Sequence, residues 1–127
     1  PLRVREVHIG GAFFGYMVNG TPADCVKIAV QELICGAPDI ILSGINPGAN
    51  VGVNVLYSGT VSAAAEGVLL GIPGIAVSVE SRDGAGFELA GRTAVRVVMP
   101  TDVPNPRWLT PGIPSRDQQA FGDDLLA

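Results

Sequence analysis

Between residues 39 and 79 the chain reads strand, loop, helix, strand, and few folds accommodate that order in so short a span. Asp39-Ile40-Ile41-Leu42-Ser43 is a short apolar strand pattern. A loop rich in Gly and Asn follows, and then Ser58-Gly59-Thr60 opens an Ala-rich helix pattern that runs to Leu70. Gly74-Ile75-Ala76-Val77-Ser78-Val79 is a second apolar strand. Strand, crossover helix and strand make a βαβ unit, in which the two strands are parallel and the connection is right-handed. The expected fold class is therefore α/β with a partly parallel sheet. Its ligands belong beside the strand end where the loop and the helix start meet.

Composition narrows the partners. At 127 residues the chain is one domain by size. With 47% hydrophobic and only 16% charged residues, it is apolar enough to call for strands buried on both faces. The formal charge is −4 and no Lys/Arg cluster exists, so a nucleic-acid polymer is not an expected partner. No apolar run approaches the length of about 20 residues that spans a bilayer, and no charged-then-apolar leader is visible. A soluble cytoplasmic protein is the expectation. Cys25 and Cys35 fall ten residues apart on one helix pattern, about 15 Å at the helical rise, which is too far for a disulfide. Both are expected as buried thiols, since a metal site needs more Cys or His and the single histidine is His8.

Residues 2–9 alternate apolar and polar, the pattern of a half-buried or edge strand that leaves His8 on its polar, solvent-facing side. Gly10-Gly11 turn the chain into a second strand over 13–18, which predicts a hairpin. Thr21, Pro22 and Asp24 then match an N-cap, the first helical position and N3, so a helix is expected from here to Gly36. Apolar positions 87, 90, 94, 95, 97 and 98 predict a further helix stopped by Pro100. Five of the ten prolines lie at 100, 104, 106, 111 and 114, so the expected organisation is an α/β core over 1–98 and an irregular tail over 99–127.

The central loop carries no acidic or basic side chain between Asp39 and Glu66. A helix start presents unpaired N–H groups and a partial positive charge, so Ser58, Gly59 and Thr60 form a candidate phosphate site. On spacing alone, a plain helix cap by Ser58 or Thr60 remains equally open. The glycines at 44, 48 and 52 do not spell a dinucleotide fingerprint, and no Lys follows a glycine loop. Asn46 and Asn50 either close turns through their side chains or supply an amide oxygen to a hard cation. Such a cation also demands carboxylates. Asp39 stands at the wrong end of its strand, Glu66 lies two turns into its helix, and Asp24 caps another.

Three segments in order, Asn-Gly-Thr-Pro-Ala-Asp-Cys-Val at 19–26, Pro-Asp-Ile-Ile-Leu-Ser-Gly-Ile-Asn-Pro-Gly-Ala-Asn-Val-Gly at 38–52 and Tyr-Ser-Gly-Thr-Val-Ser-Ala-Ala-Ala-Glu-Gly at 57–67, closely resemble the SurE survival-protein family. The likeness covers roughly 1–98. It implies a Rossmann-like α/β fold and a nucleoside monophosphate phosphatase that hydrolyses phosphomonoesters with a divalent metal, Mg²⁺ or Mn²⁺, and works as a homo-oligomer. By the same resemblance, Asn46 is a metal ligand and Ser58, Gly59 and Thr60 hold the phosphate. Asn50 is placed at the phosphate site and Tyr57 beside it, without a catalytic role.

Members of the family begin with a strand ending in Asn-Asp-Asp-Gly, whose aspartates hold the metal, and a later loop adds a Ser ligand. Neither appears here, and Gly122-Asp123-Asp124-Leu125 is no displaced copy, because it lacks the strand and the flanking Asn. The fold and the metal's ligand set are therefore expected to be incomplete relative to the family, with weak or absent turnover. Two rival readings stand beside this one: an inactive phosphate- or nucleotide-binding module, and a non-functional fragment whose open apolar sheet edge invites self-association.

Overall fold

A computed structural model describes residues 1–80 and 86–99. The chain divides into two compact units, one formed by Pro1–Ser43 with Asn50–Ala76 and the other by Gly44–Ala49 with Val77–Ala127. Met99 is the only described residue of the expected tail; the rest of it lies outside the described residues.

The first unit opens with the expected hairpin, β1 (Val4–Ile9) and β2 (Ala12–Val18), joined by Gly10 and Gly11, whose φ angles of 59° and 83° suit only glycine comfortably. The strands are antiparallel, and Val7 pairs Gly15 while His8 pairs Phe13, so Phe14 is the extra residue of a bulge. His8 is exposed as expected, with Glu6 3.8 Å away and Phe13 edge-on to its ring. Half-burial of this strand is not found: in β1 only Val7 is partly covered. Phe14 is 71% and Ile9 60% exposed, because among the described residues no layer lies over this two-stranded ribbon.

Next comes α1 (Pro22–Ile28), started by the predicted residues. Thr21 Oγ1 accepts from the Asp24 N–H at 3.2 Å, and the Asp24 carboxylate accepts from the Thr21 N–H and hydroxyl, both at 2.8 Å. This reciprocal box satisfies the donors that a helix start leaves unpaired. The single helix expected to Gly36 does not form. From Ala29 to Leu33 the backbone widens into a π-helical turn, closed by the Ile34 N–H on the Ala29 oxygen at 3.0 Å, and Ile34 is already extended. Cys35 therefore lies beyond the helix and is exposed, and Cys25 is half-buried, so the expected pair of buried thiols is corrected on both counts.

β3 (Ile41–Pro47) and β4 (Gly74–Val79) form the second sheet. The Ile41 N–H donates to Pro73 O at 2.7 Å and the Gly48 N–H to Val79 O at 2.8 Å, so the strands advance together, as the βαβ reading requires. Between them lie a short 3₁₀ helix (Gly52–Tyr57) and α2 (Gly59–Leu69). Small residues let α2 sit directly on the strands: a Cβ at Gly67 would lie 2.6 Å from Ile41 Cγ1, and one at Gly74 would enter the Ala64 carbonyl. Ala63, Ala64, Gly67 and Ile72 make this unit's core. Two-sided burial of the strands is another expectation the structure corrects. β3 mixes partly covered and exposed positions and β4 is partly covered at every position except Ala76, but neither strand has a buried residue.

In the second unit α3 (Phe87–Val98) occupies the expected residues, starting from Gly86 at φ 89°. Ala94 is its buried residue, and Glu88 and Arg92 pair at 3.0 Å along its outer side. No helix among the described residues is long and apolar enough to cross a membrane.

Candidate phosphate site at the start of α2

Ser58 directly follows the 3₁₀ helix, takes extended dihedrals of φ −80° and ψ 122°, and becomes the N-cap of α2. Its Oγ accepts from the Val61 N–H at 3.2 Å, and its carbonyl receives both the Ser62 N–H at 2.9 Å and the Ser62 hydroxyl at 2.8 Å. It is the one buried polar residue among the described residues, at 8% exposure. With Val61 capped and Ser62 N–H making the first intrahelical bond, the helix itself supplies no acceptor for the amides of Gly59 and Thr60. The Ser58 hydroxyl, an acceptor toward Val61, keeps its own proton to donate. Ser58, Gly59 and Thr60 thus stand together at the positive end of an eleven-residue helix. Cap and anion site, alternatives on spacing, are compatible in one geometry.

The other expected site residues lie elsewhere. Asn50, half-buried, sits in the loop two residues before the 3₁₀ helix, within the same unit as Ser58. Asn46 belongs to the second unit, near the end of β3, where its Nδ2–H donates to Gly48 O at 2.8 Å. That bond leaves Oδ1 as the atom able to meet a cation. The carboxylates set aside on sequence grounds are engaged: Asp24 in its capping box, and Glu66 3.9 Å from Lys27 Nζ. No group of three His, Cys, Asp or Glu able to hold a metal exists among the described residues. One amide oxygen does not fit the six-oxygen shell that Mg²⁺ requires. Accordingly, no chemical step is assigned to a metal here.

The family model described as "Survival protein SurE" matches residues 1–122. The chain belongs to the SurE family. Its match extends beyond Val98, where the sequence motifs alone stop the likeness. Among curated proteins, the 5'-nucleotidase SurE of Syntrophobacter fumaroxidans is 64% identical over 81 residues, covering 64% of this chain and 32% of that protein. The 5'-nucleotidase SurE of Chlorobium chlorochromatii is 39% identical over 130 positions, covering all of this chain and 48% of that protein. The crystal structure of the SurE protein from Aquifex aeolicus superposes with a TM-score of 0.67 at 40% identity, over 85% of this chain and 48% of that one. This SurE-family chain therefore spans a third to about half the length of the relatives it matches and has their Rossmann-like α/β fold.

A contact that linear reading missed lies at the same helix start. In this SurE-family chain the Pro22 ring packs against the face of Gly59 that has no side chain. Nothing in the spacing of the two residues signals it, because both motifs read as independent helix starts.

Proposed function

We propose that this chain carries the phosphate-binding part of a nucleoside monophosphate phosphohydrolase. The observation that carries the reading is the start of α2, where a buried Ser58 caps the helix and the Gly59 and Thr60 amides are left to an outside acceptor. A phosphate dianion suits such a site, which stabilises negative charge through fixed dipoles and without a basic side chain. Two curated relatives named 5'-nucleotidase SurE support the same substrate class.

In this proposal Ser58, Gly59 and Thr60 orient the phosphate and stabilise the charge that develops on its oxygens. Asn50 borders the phosphate, and Asn46 offers a single amide oxygen, too few donors to hold Mg²⁺ or Mn²⁺, so no step is routed through a metal. A homo-oligomer and a cytoplasmic location belong to the same proposal, and the exposed Ile9, Phe13 and Phe14 of the hairpin support self-association. The test is release of phosphate from AMP with added Mn²⁺. Turnover is expected to be weak at most and to disappear in both Asn46→Ala and Ser58→Gly, and strong turnover indifferent to both overturns the assignment.

A second reading is favoured by one observation: Ser58, Gly59 and Thr60 stand together at the start of a single helix, in a unit that does not include Asn46. A phosphate-binding module without chemistry needs nothing more. Calorimetric binding of inorganic phosphate in the presence of EDTA, with no phosphate release from AMP under any metal, selects this reading.

A further inference from the structure

We propose that Pro22 is a positioning residue for the phosphate site at the start of α2. The proposal rests on the reading of Ser58, Gly59 and Thr60 as that site. A Cβ built on Gly59 would lie 3.0 Å from Pro22 Cγ, 3.3 Å from Cδ and 3.9 Å from Cβ. The side of Gly59 that lacks a side chain is thus filled by the pyrrolidine ring.

Pro22 is itself held firmly. It is the first residue of α1, its φ is locked by the ring, and it stands between Thr21 and Asp24, which cap the helix reciprocally. A second contact fixes the mutual direction of the helices. Pro22 meets Gly59 at the two helix starts, and further along both helices Lys27 Nζ lies 3.9 Å from Glu66 Oε1. α1 and α2 therefore run side by side with their N-termini at the same end. A stiff ring on a capped helix supports the first residue of α2 from one side.

That support matters because of how the site binds. No Lys or Arg lies between residues 39 and 66, so a phosphate is held by amides and hydroxyls whose strength depends on direction. Displacing the Gly59 and Thr60 amides by a few tenths of an ångström away from the anion weakens each bond at once. Gly59 then has a cause other than close approach of a ligand: it is the residue that lets the helix rest on Pro22.

The two causes separate in a mutant cycle read by calorimetric titration with inorganic phosphate. Gly59→Ala is expected to weaken binding about tenfold, by pushing the helix start off the ring. In Pro22→Ala/Gly59→Ala the Cγ and Cδ atoms that meet the new methyl are gone, and affinity is expected to return to within about threefold of the parent. Pro22→Ala alone, with α1 intact by circular dichroism, is expected to weaken binding about threefold, since the support is lost and no clash is added. Persistent loss in the double variant shows that Gly59 serves the ligand directly and overturns the proposal. Parental affinity in Gly59→Ala overturns it as well. If the parent protein binds no phosphate, the phosphate-site reading itself has failed. That result is recognisable because it appears before any substitution.

Discussion

Asn46 donates its side-chain N–H to the backbone oxygen of Gly48, 2.8 Å away, and so closes the turn at the end of β3. Asparagine is suited to this position in a way aspartate is not. Asn46→Asp supplies a stronger cation ligand, but it places a carboxylate oxygen against the Gly48 carbonyl and removes the donor. We expect Asn46→Asp to lose about 1–3 kcal/mol of stability, as when a partly buried acceptor loses its partner. Thermal unfolding checks this. An unchanged midpoint would show that the turn does not depend on the amide.

Ser58 has two roles that substitutions can separate. Ser58→Ala removes the cap on Val61 and is expected to cost about 1 kcal/mol, whereas Ser58→Gly costs only a few tenths. Both remove the hydroxyl. If that hydroxyl binds phosphate, affinity for inorganic phosphate falls equally in the two variants despite their different stabilities. Affinity that tracks the unfolding midpoint instead would assign Ser58 to capping alone.

These residues also show which parts of the molecule were legible in the sequence. The hairpin turn, the Thr21-Pro22-x-Asp24 box and the Ser58 cap were readable because each is closed by atoms within four residues. The end of α1 was not. Its apolar positions run on to Ile34, and the widening at Ala29 is a choice among backbone hydrogen bonds that periodicity does not record. Burial was misjudged for a related reason. An apolar composition says how much surface a chain can bury but not which face is covered, and Phe13, Phe14 and Leu42 are exposed. The site was legible as a helix start with the right residue types. The contact of Pro22 with Gly59 was not, because it depends on two helices meeting.

Gly67 tests the packing of α2 through the sign of an effect. In an exposed helix interior, Gly→Ala is stabilising by about 1 kcal/mol. Here the added methyl would come 2.6 Å from Ile41 Cγ1 and 3.1 Å from its Cβ. We expect Gly67→Ala to destabilise by about 1–3 kcal/mol, with overpacking outweighing helix propensity. Ile41→Val removes the methyl beyond Cγ1 and leaves both contacting atoms, so it should restore little, while Ile41→Ala/Gly67→Ala should recover more of the loss than the single changes allow by addition. Denaturant unfolding of the set measures the coupling.

Asp24 sets the behaviour of α1 in acid. The Thr21 backbone N–H, and then the Thr21 hydroxyl, hydrogen-bond its carboxylate and hold its pKa below the ordinary 3.8; desolvation opposes them, and Lys27 adds to the lowering. A carboxyl group depressed in the folded state stabilises fully above its unfolded value. That contribution is lost as pH falls through the folded value. We therefore expect the capping contribution to be constant from neutrality down to about pH 4 and to disappear below it. Asp24→Asn removes the charge at every pH. Its unfolding midpoint should lie below the parent's at pH 7, and the gap should close under more acidic conditions. A gap that persists unchanged well below pH 3.8 would show that the amide fails by geometry, not by loss of charge.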